Sequence, residues 1–118
     1  MLTSLAAATC LMRGDVGQIC RTEHGTSFIG ALIEECTAVA RAAGHGPRAD
    51  QVEFVRQQLQ NPEGTFKASM LTDLEAGNPT EADHILGDMI RRAGALGIET
   101  PLLNIALSHL QVYENARA

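Results

Sequence analysis

The sequence has no tryptophan, one tyrosine and three phenylalanines among its 118 residues. Its core must therefore come from Ala, Leu, Ile, Val and Met rather than from stacked rings. Basic residues are also scarce, nine against fourteen acidic ones, and Lys67 is the only lysine. A net charge of −5 is the reverse of what a nucleic-acid binder shows. No run of 18 apolar residues occurs, which excludes a predicted membrane-spanning helix. The opening MLTSLAAATCLM is apolar, but it is short and lacks the basic start of a secretory signal. Cys10, Cys20 and Cys36 are odd in number and form no CxxC pair. They are expected to be reduced, mostly buried thiols of a cytoplasmic protein. The histidines His24, His45, His84 and His109 lack metal-ligand spacing, and no glycine-rich phosphate loop occurs. What remains is 45% hydrophobic and 19% charged, the composition of one globular domain.

Helical periodicity dominates. From Thr26 to Ala43, Phe28, Ile29, Leu32, Ile33, Cys36, Val39 and Ala40 draw one apolar stripe, with Glu34, Glu35 and Arg41 off it or at its edge. Gly44 and Gly46-Pro47 close that helix. A second helix is predicted from Ala49 to Gln60, seamed by Val52, Val55 and Leu59. A third runs from Phe66 to Ala76, with Phe66, Met70, Leu71 and Leu74 on its apolar side. Gly77-Asn78-Pro79 breaks it. Thr80 reads as an N-cap with Asp83 completing a capping-box-like pair. Ala82, Ile85, Leu86, Met89, Ile90 and Ala93 line the helix it opens, which frays at Gly94 and Gly97. Thr100-Pro101 starts the last helix, seamed by Leu103, Ala106, Leu107, Leu110 and Tyr113. Residues 3 to 12 suit a short Ala-rich helix stopped by Gly14, and Val16 to Arg21 a short turn. No segment alternates with period two. The expectation is an all-α domain of five or six helices.

The segment richest in chemistry is Lys67 to Gly87, KASMLTDLEAGNPTEADHILG. Glu81 is expected in a first helical turn, where free N–H groups and the helix dipole favour a carboxylate. Two readings stand: a carboxylate that accepts a hydrogen bond from a ligand hydroxyl, or one that simply stabilises the turn. Ser69 has no His–Asp support, so it is a poor nucleophile; it either binds a ligand or faces solvent. Asp73 is placed to pair with Lys67 or Arg56, or to cap a neighbouring element. Gly87, inside an apolar helical pattern, either admits a close approach or has no role.

These residues carry a resemblance. Ala68-Ser69-Met70-Leu71-Thr72-Asp73, then Gly77-Asn78-Pro79-Thr80-Glu81-Ala82-Asp83, then Gly87, resembles the signature of the carboxy-terminal domain of ketopantoate reductases. Gly97-Ile98-Glu99-Thr100-Pro101 with Asn104, and upstream Leu2-Thr3-Ser4-Leu5 and Gly14-Asp15-Val16-Gly17, are similar to further family positions. The likeness covers nearly the whole chain. It implies an all-α, single multi-helix domain of the 6-phosphogluconate dehydrogenase C-terminal-like type. It also implies a parent oxidoreductase that reduces 2-dehydropantoate to pantoate with NADPH, in pantothenate biosynthesis.

By the same resemblance, Glu81 is a catalytic position that contacts the reacting oxygen of the substrate, and Ser69 binds the carboxylate side of the 2-keto acid. Asp73 and Asp83 match acidic positions of a structural kind. Asn78 stands where the family has Arg, and Ala82 where it has a larger aliphatic residue. The family's catalytic lysine and its flanking asparagines precede the segment matching Leu2 to Leu5. Residues 1–118 are therefore expected to be the substrate-side domain, without the Rossmann domain that holds NADP, and inactive alone. No cofactor-binding residue and no metal ligand is assigned within them. A homodimer is expected, with no nucleic-acid or membrane partner. The alternatives are a non-catalytic helical dimerisation or interaction module, and the same domain of a dehydrogenase for another 2-keto acid.

Overall fold

A computed structural model describes residues 1–117. Its helices are α1 (Leu2–Met12), α2 (Val16–Cys20), α3 (Gly25–Ala42), α4 (Ala49–Leu59), α5 (Ser69–Glu75), α6 (Asp88–Ala95) and α7 (Pro101–Arg117). A π-helical turn, Asp83–Gly87, runs directly into α6. The architecture is all-α as expected, but with seven helices rather than five or six. No strand occurs among the described residues.

The Ala-rich first helix is the centre of the fold. Ser4, Ala6, Ala7, Ala8, Thr9 and Cys10 of α1 are all buried, on every side of the helix. A helix buried all round must be surrounded by others, and the small side chains let α2, α3, α5 and α7 approach it. Larger residues fill the layer outside: Ile29 and Leu32 of α3, Leu71 of α5, and Leu103 and Leu110 of α7 are fully buried. The Cα radius of gyration, 13.7 Å, matches the roughly 13.5 Å expected of one compact domain of this length.

Local differences from the sequence reading have simple causes. Arg13, not Gly14, takes the left-handed conformation that stops α1, at φ 56°. Phe66 is 46% exposed and precedes α5 instead of joining its apolar face. Its carbonyl is used elsewhere, accepting the Val16 N–H at 2.9 Å and so satisfying a free donor at the start of α2. Cys10 and Cys20 are buried and Cys36 is half-buried, all as free thiols. Burial pushes the Cys10 thiol up to about 12.

The start of α7 is fixed from across the chain. Pro101 has no N–H to satisfy, and the next two donors, Leu102 and Leu103, bond to the two oxygens of Glu35 at 2.9 and 3.1 Å. A side chain on α3 thus caps a helix 67 residues away. The Thr100 hydroxyl adds a bond to Asn104 Oδ1 at 3.1 Å. Because Glu35 supplies two of the three acceptors this proline-started helix end needs, Glu35→Ala should lower stability by about 1–2 kcal/mol, the range of a lost N-cap. Glu35→Gln, which keeps one acceptor oxygen, should lose less. Urea unfolding at neutral pH checks this; an Ala variant as stable as the parent would refute the cap.

Candidate active site

Ser69 opens α5, and Glu81 ends the loop that follows it. Each adjoins a residue pinned by a bond to a distant helix. On the Ser69 side, the buried Thr9 hydroxyl donates to Leu5 C=O at 2.7 Å and accepts the Ala68 N–H at 3.3 Å. That bond ties the entry of α5 to the middle of α1.

On the Glu81 side, α5 first ends at Gly77, whose φ of 76° is the left-handed region that favours glycine. The Asn78 N–H returns to Asp73 C=O at 2.9 Å, and the Gly77 N–H to Leu74 C=O at 3.2 Å. The last turns of α7 then grip the loop. The Tyr113 hydroxyl donates to Asn78 C=O at 2.6 Å. Arg117 Nε donates to Gly77 C=O at 2.8 Å. Both the N–H and the hydroxyl of Thr80 donate to Glu114 Oε1, at 2.8 and 3.1 Å. The sequence reading placed Tyr113 in the helix seam and did not single out Glu114 or Arg117, because the partners of all three lie 34 to 40 residues away. The only trace there is that residues 113, 114 and 117 share one helical face.

Thr80 is not the N-cap of a regular helix. Its hydroxyl accepts the Ala82 N–H at 3.4 Å, while Glu81 lends its carbonyl to the Ile85 N–H at 2.9 Å. Glu81 therefore stands one residue ahead of the helical stretch rather than inside its first turn. Asp83 does not complete a capping box; it pairs with Arg91 at 3.2 Å, and Arg91 also binds Asp88 at 2.6 Å. Gly87 makes room for this pair, since a Cβ there would lie 2.7 Å from Asp83 Oδ1. The close approach at Gly87 is thus by side chains of its own helical stretch. Asp73 pairs with neither expected partner: Lys67 takes Glu75 at 3.1 Å, and Arg56 takes Glu34.

The side chains of Ser69 and Glu81 are both exposed. Neither residue lines four of the surface clefts, of about 280 to 490 Å³. The largest of these four lies at the far end of α1, against Met12, Arg13, Ile19, His24 and Phe28. The described residues thus supply two presented side chains on anchored backbone. They do not supply a dinucleotide cradle, having no strand that leads through a glycine-rich loop into a helix. Among them no cluster of His, Cys, Asp or Glu is placed to hold a metal, and no helix is long and apolar enough to cross a membrane.

Comparison with known proteins decides the family. The sequence profile described as ketopantoate reductase PanE/ApbA C terminal matches residues 1–114. The chain belongs to the ketopantoate reductase family. It is 32% identical over 115 residues to an uncharacterized oxidoreductase, YkpB, of Bacillus subtilis, covering 96% of this chain and 37% of that protein. It is 33% identical over 78 residues to the 2-dehydropantoate 2-reductase of Salmonella typhimurium, covering 66% and 26% respectively. The chain thus spans about a third of the length of these relatives. Among solved structures, a PanE/ApbA family ketopantoate reductase from Ralstonia eutropha superposes with TM-score 0.80 at 27% identity, over 98% of this chain and 38% of that one. A D-mandelate dehydrogenase bound to NADH and anilino(oxo)acetate superposes with TM-score 0.80 over 98% of this chain and 48% of that one; at 18% identity it shares the fold.

The grip of α7 on the family-motif loop carries a pH signature. The Thr80 N–H first, then the Thr80 hydroxyl and Arg117, hold the Glu114 carboxyl below its ordinary value of 4.5. A carboxyl depressed by folding stabilises the fold while ionised, and that contribution fades as pH falls through the folded value. The stability gap between the parent chain and Glu114→Gln should be constant from neutral pH down to about 4.5 and narrow below it. Thermal unfolding across that range measures the gap. A gap that stays constant into strong acid would show that Glu114 ionisation contributes nothing.

Proposed function

We propose that this chain is the substrate-side domain of an NADPH-dependent 2-dehydropantoate 2-reductase, a cytoplasmic enzyme that makes pantoate for pantothenate biosynthesis. The observation that carries the reading is the motif from Ala68 to Gly87, whose serine and glutamate both stand exposed at anchored backbone positions. A 2-keto acid presents two features to such a surface, a carboxylate and a reactive carbonyl. In this reading the Ser69 hydroxyl donates a hydrogen bond to the substrate carboxylate. The Glu81 carboxylate accepts one from the hydroxyl that the carbonyl becomes, and orients the proton-donating lysine that the family places before Leu2. Fixing both ends of a small acid is the entropic part of catalysis. The nicotinamide supplies hydride and is held outside residues 1–118. The same reading includes a homodimer; Ile105 and Val112, exposed two turns apart on α7, are apolar surface available for it.

The second reading, reduction of a different 2-keto acid, has a specific motive. Asn78 replaces the arginine of the family pattern, and here only its backbone carbonyl is engaged by α7. The fold is also shared with a mandelate-directed enzyme.

The test joins residues 1–118 to a dinucleotide-binding domain that carries the family's lysine and asparagines, and follows NADPH absorbance with ketopantoate. The fusion should turn over, and the 118-residue chain alone should not. Glu81→Gln should lower kcat by about 10²- to 10⁴-fold, the range for a lost acid–base partner. Ser69→Ala should act mainly on KM. A fusion that ignores ketopantoate but reduces another 2-keto acid would favour the second reading. Unchanged kinetics in Glu81→Gln would return Glu81 to a role in the turn alone.

A further inference from the structure

We infer that Glu114 is a positioning residue for Glu81, acting through Thr80, with Tyr113 and Arg117 holding the same loop. This rests on the proposed role of Glu81. The inference comes from how the backbone of residue 81 is held. The Glu81 side chain is exposed, so its position follows the main chain on either side. On the far side that chain enters the helical stretch through the Glu81 carbonyl and the Ile85 N–H. On the near side everything depends on Thr80.

Thr80 uses both its donors on one oxygen. Its N–H and hydroxyl converge on Glu114 Oε1, at 2.8 and 3.1 Å, which fixes the hydroxyl proton toward α7. A hydroxyl so oriented turns a lone pair toward the Ala82 N–H, at 3.4 Å. Residue 81 is thereby bracketed, its predecessor tied to Glu114 and its successor tied to the same threonine. Arg117 Nη1 lies 3.5 Å from Glu114 Oε2, which leaves Oε1 for Thr80. Tyr113 and Arg117 close the preceding carbonyls of Asn78 and Gly77. A carboxylate or amide oxygen is required at 114, because a hydroxyl or alkyl group cannot accept two convergent donors from one residue at that reach.

The consequence is a residue outside the motif that governs turnover without touching substrate. A carboxylate displaced by 1 Å from productive geometry can cost on the order of 100-fold in rate. In the fusion described above, Glu114→Ala should lower kcat by roughly 10- to 100-fold with KM for ketopantoate little changed. Glu114→Gln, which keeps an acceptor oxygen, should recover most of that loss. Glu81→Gln combined with Glu114→Ala should be no slower than Glu81→Gln alone, since the two losses pass through one group. Amide hydrogen exchange on the 118-residue chain supplies a readout independent of catalysis. Thr80 and Ala82 should be protected in the parent and in Glu114→Gln, and should exchange fast in Glu114→Ala while the amides of α1 stay protected.

Equal kcat in Glu114→Ala and the parent, or multiplicative losses in the double variant, would overturn the inference. So would Thr80 and Ala82 amides that keep their protection in Glu114→Ala. If Glu81→Gln itself leaves kcat unchanged, the reading of Glu81 fails, and the positioning role falls with it. Loss of Thr80 protection in Glu114→Ala would then still identify the clamp as structural, which separates the two failures.

Discussion

The arrangement depends on α7 being held at one end and holding with the other. Glu35 of α3 closes the first turn of α7 through the Leu102 and Leu103 N–H groups. Tyr113, Glu114 and Arg117 of the last turns close the loop between α5 and the π-helical turn. Between them, Leu103, Ala106 and Leu110 bury the helix against the core around α1. A 17-residue helix thus conveys the position of the core to a solvent-exposed loop. Backbone donors and acceptors that leave a helix must find partners, and here those partners are carboxylates, a phenol and a guanidinium from far along the chain.

The same economy explains why α1 is built of alanine. A central helix must let its neighbours come close, and between Ser4 and Cys10 every residue of α1 but the half-buried Leu5 is buried. The Ala68 N–H donates to the Thr9 hydroxyl of α1, and this bond fixes the start of α5 and hence Ser69. Ser69 and Glu81 are therefore exposed side chains on a backbone that is not free. Such presentation is what the roles proposed for Ser69 and Glu81 require.

Much of the helical framework was legible in the sequence because buried residues recur at helical spacing. Ile29, Leu32, Ile33 and Val39 define α3, and Leu103, Ala106 and Leu110 define α7, as their order along the chain implies. The central place of α1 was not legible, since an alanine-rich helix has no single apolar face to read. Phe66 misled because an apolar residue beside a helix was read as part of its seam, whereas its carbonyl was needed by α2. The π-helical turn and the Asp83–Arg91 pair over Gly87 depend on backbone winding that periodicity does not encode. For the candidate site, spacing left Ser69 and Glu81 with two readings each, and their proposed ligand roles come through the family motif alone. Nothing local distinguishes Glu35 or Glu114 from other helix acids, because hydrogen bonds across 34 and 67 residues leave no local pattern.

The account stands most directly on where a small acid binds. A crystal structure of the fusion with the nicotinamide cofactor and pantoate bound would decide it. The account predicts the Ser69 hydroxyl on the ligand carboxylate and the Glu81 carboxylate on the ligand hydroxyl, with Thr80 still bonded to Glu114. A ligand seated elsewhere, with Ser69 and Glu81 still in open solvent, would contradict it.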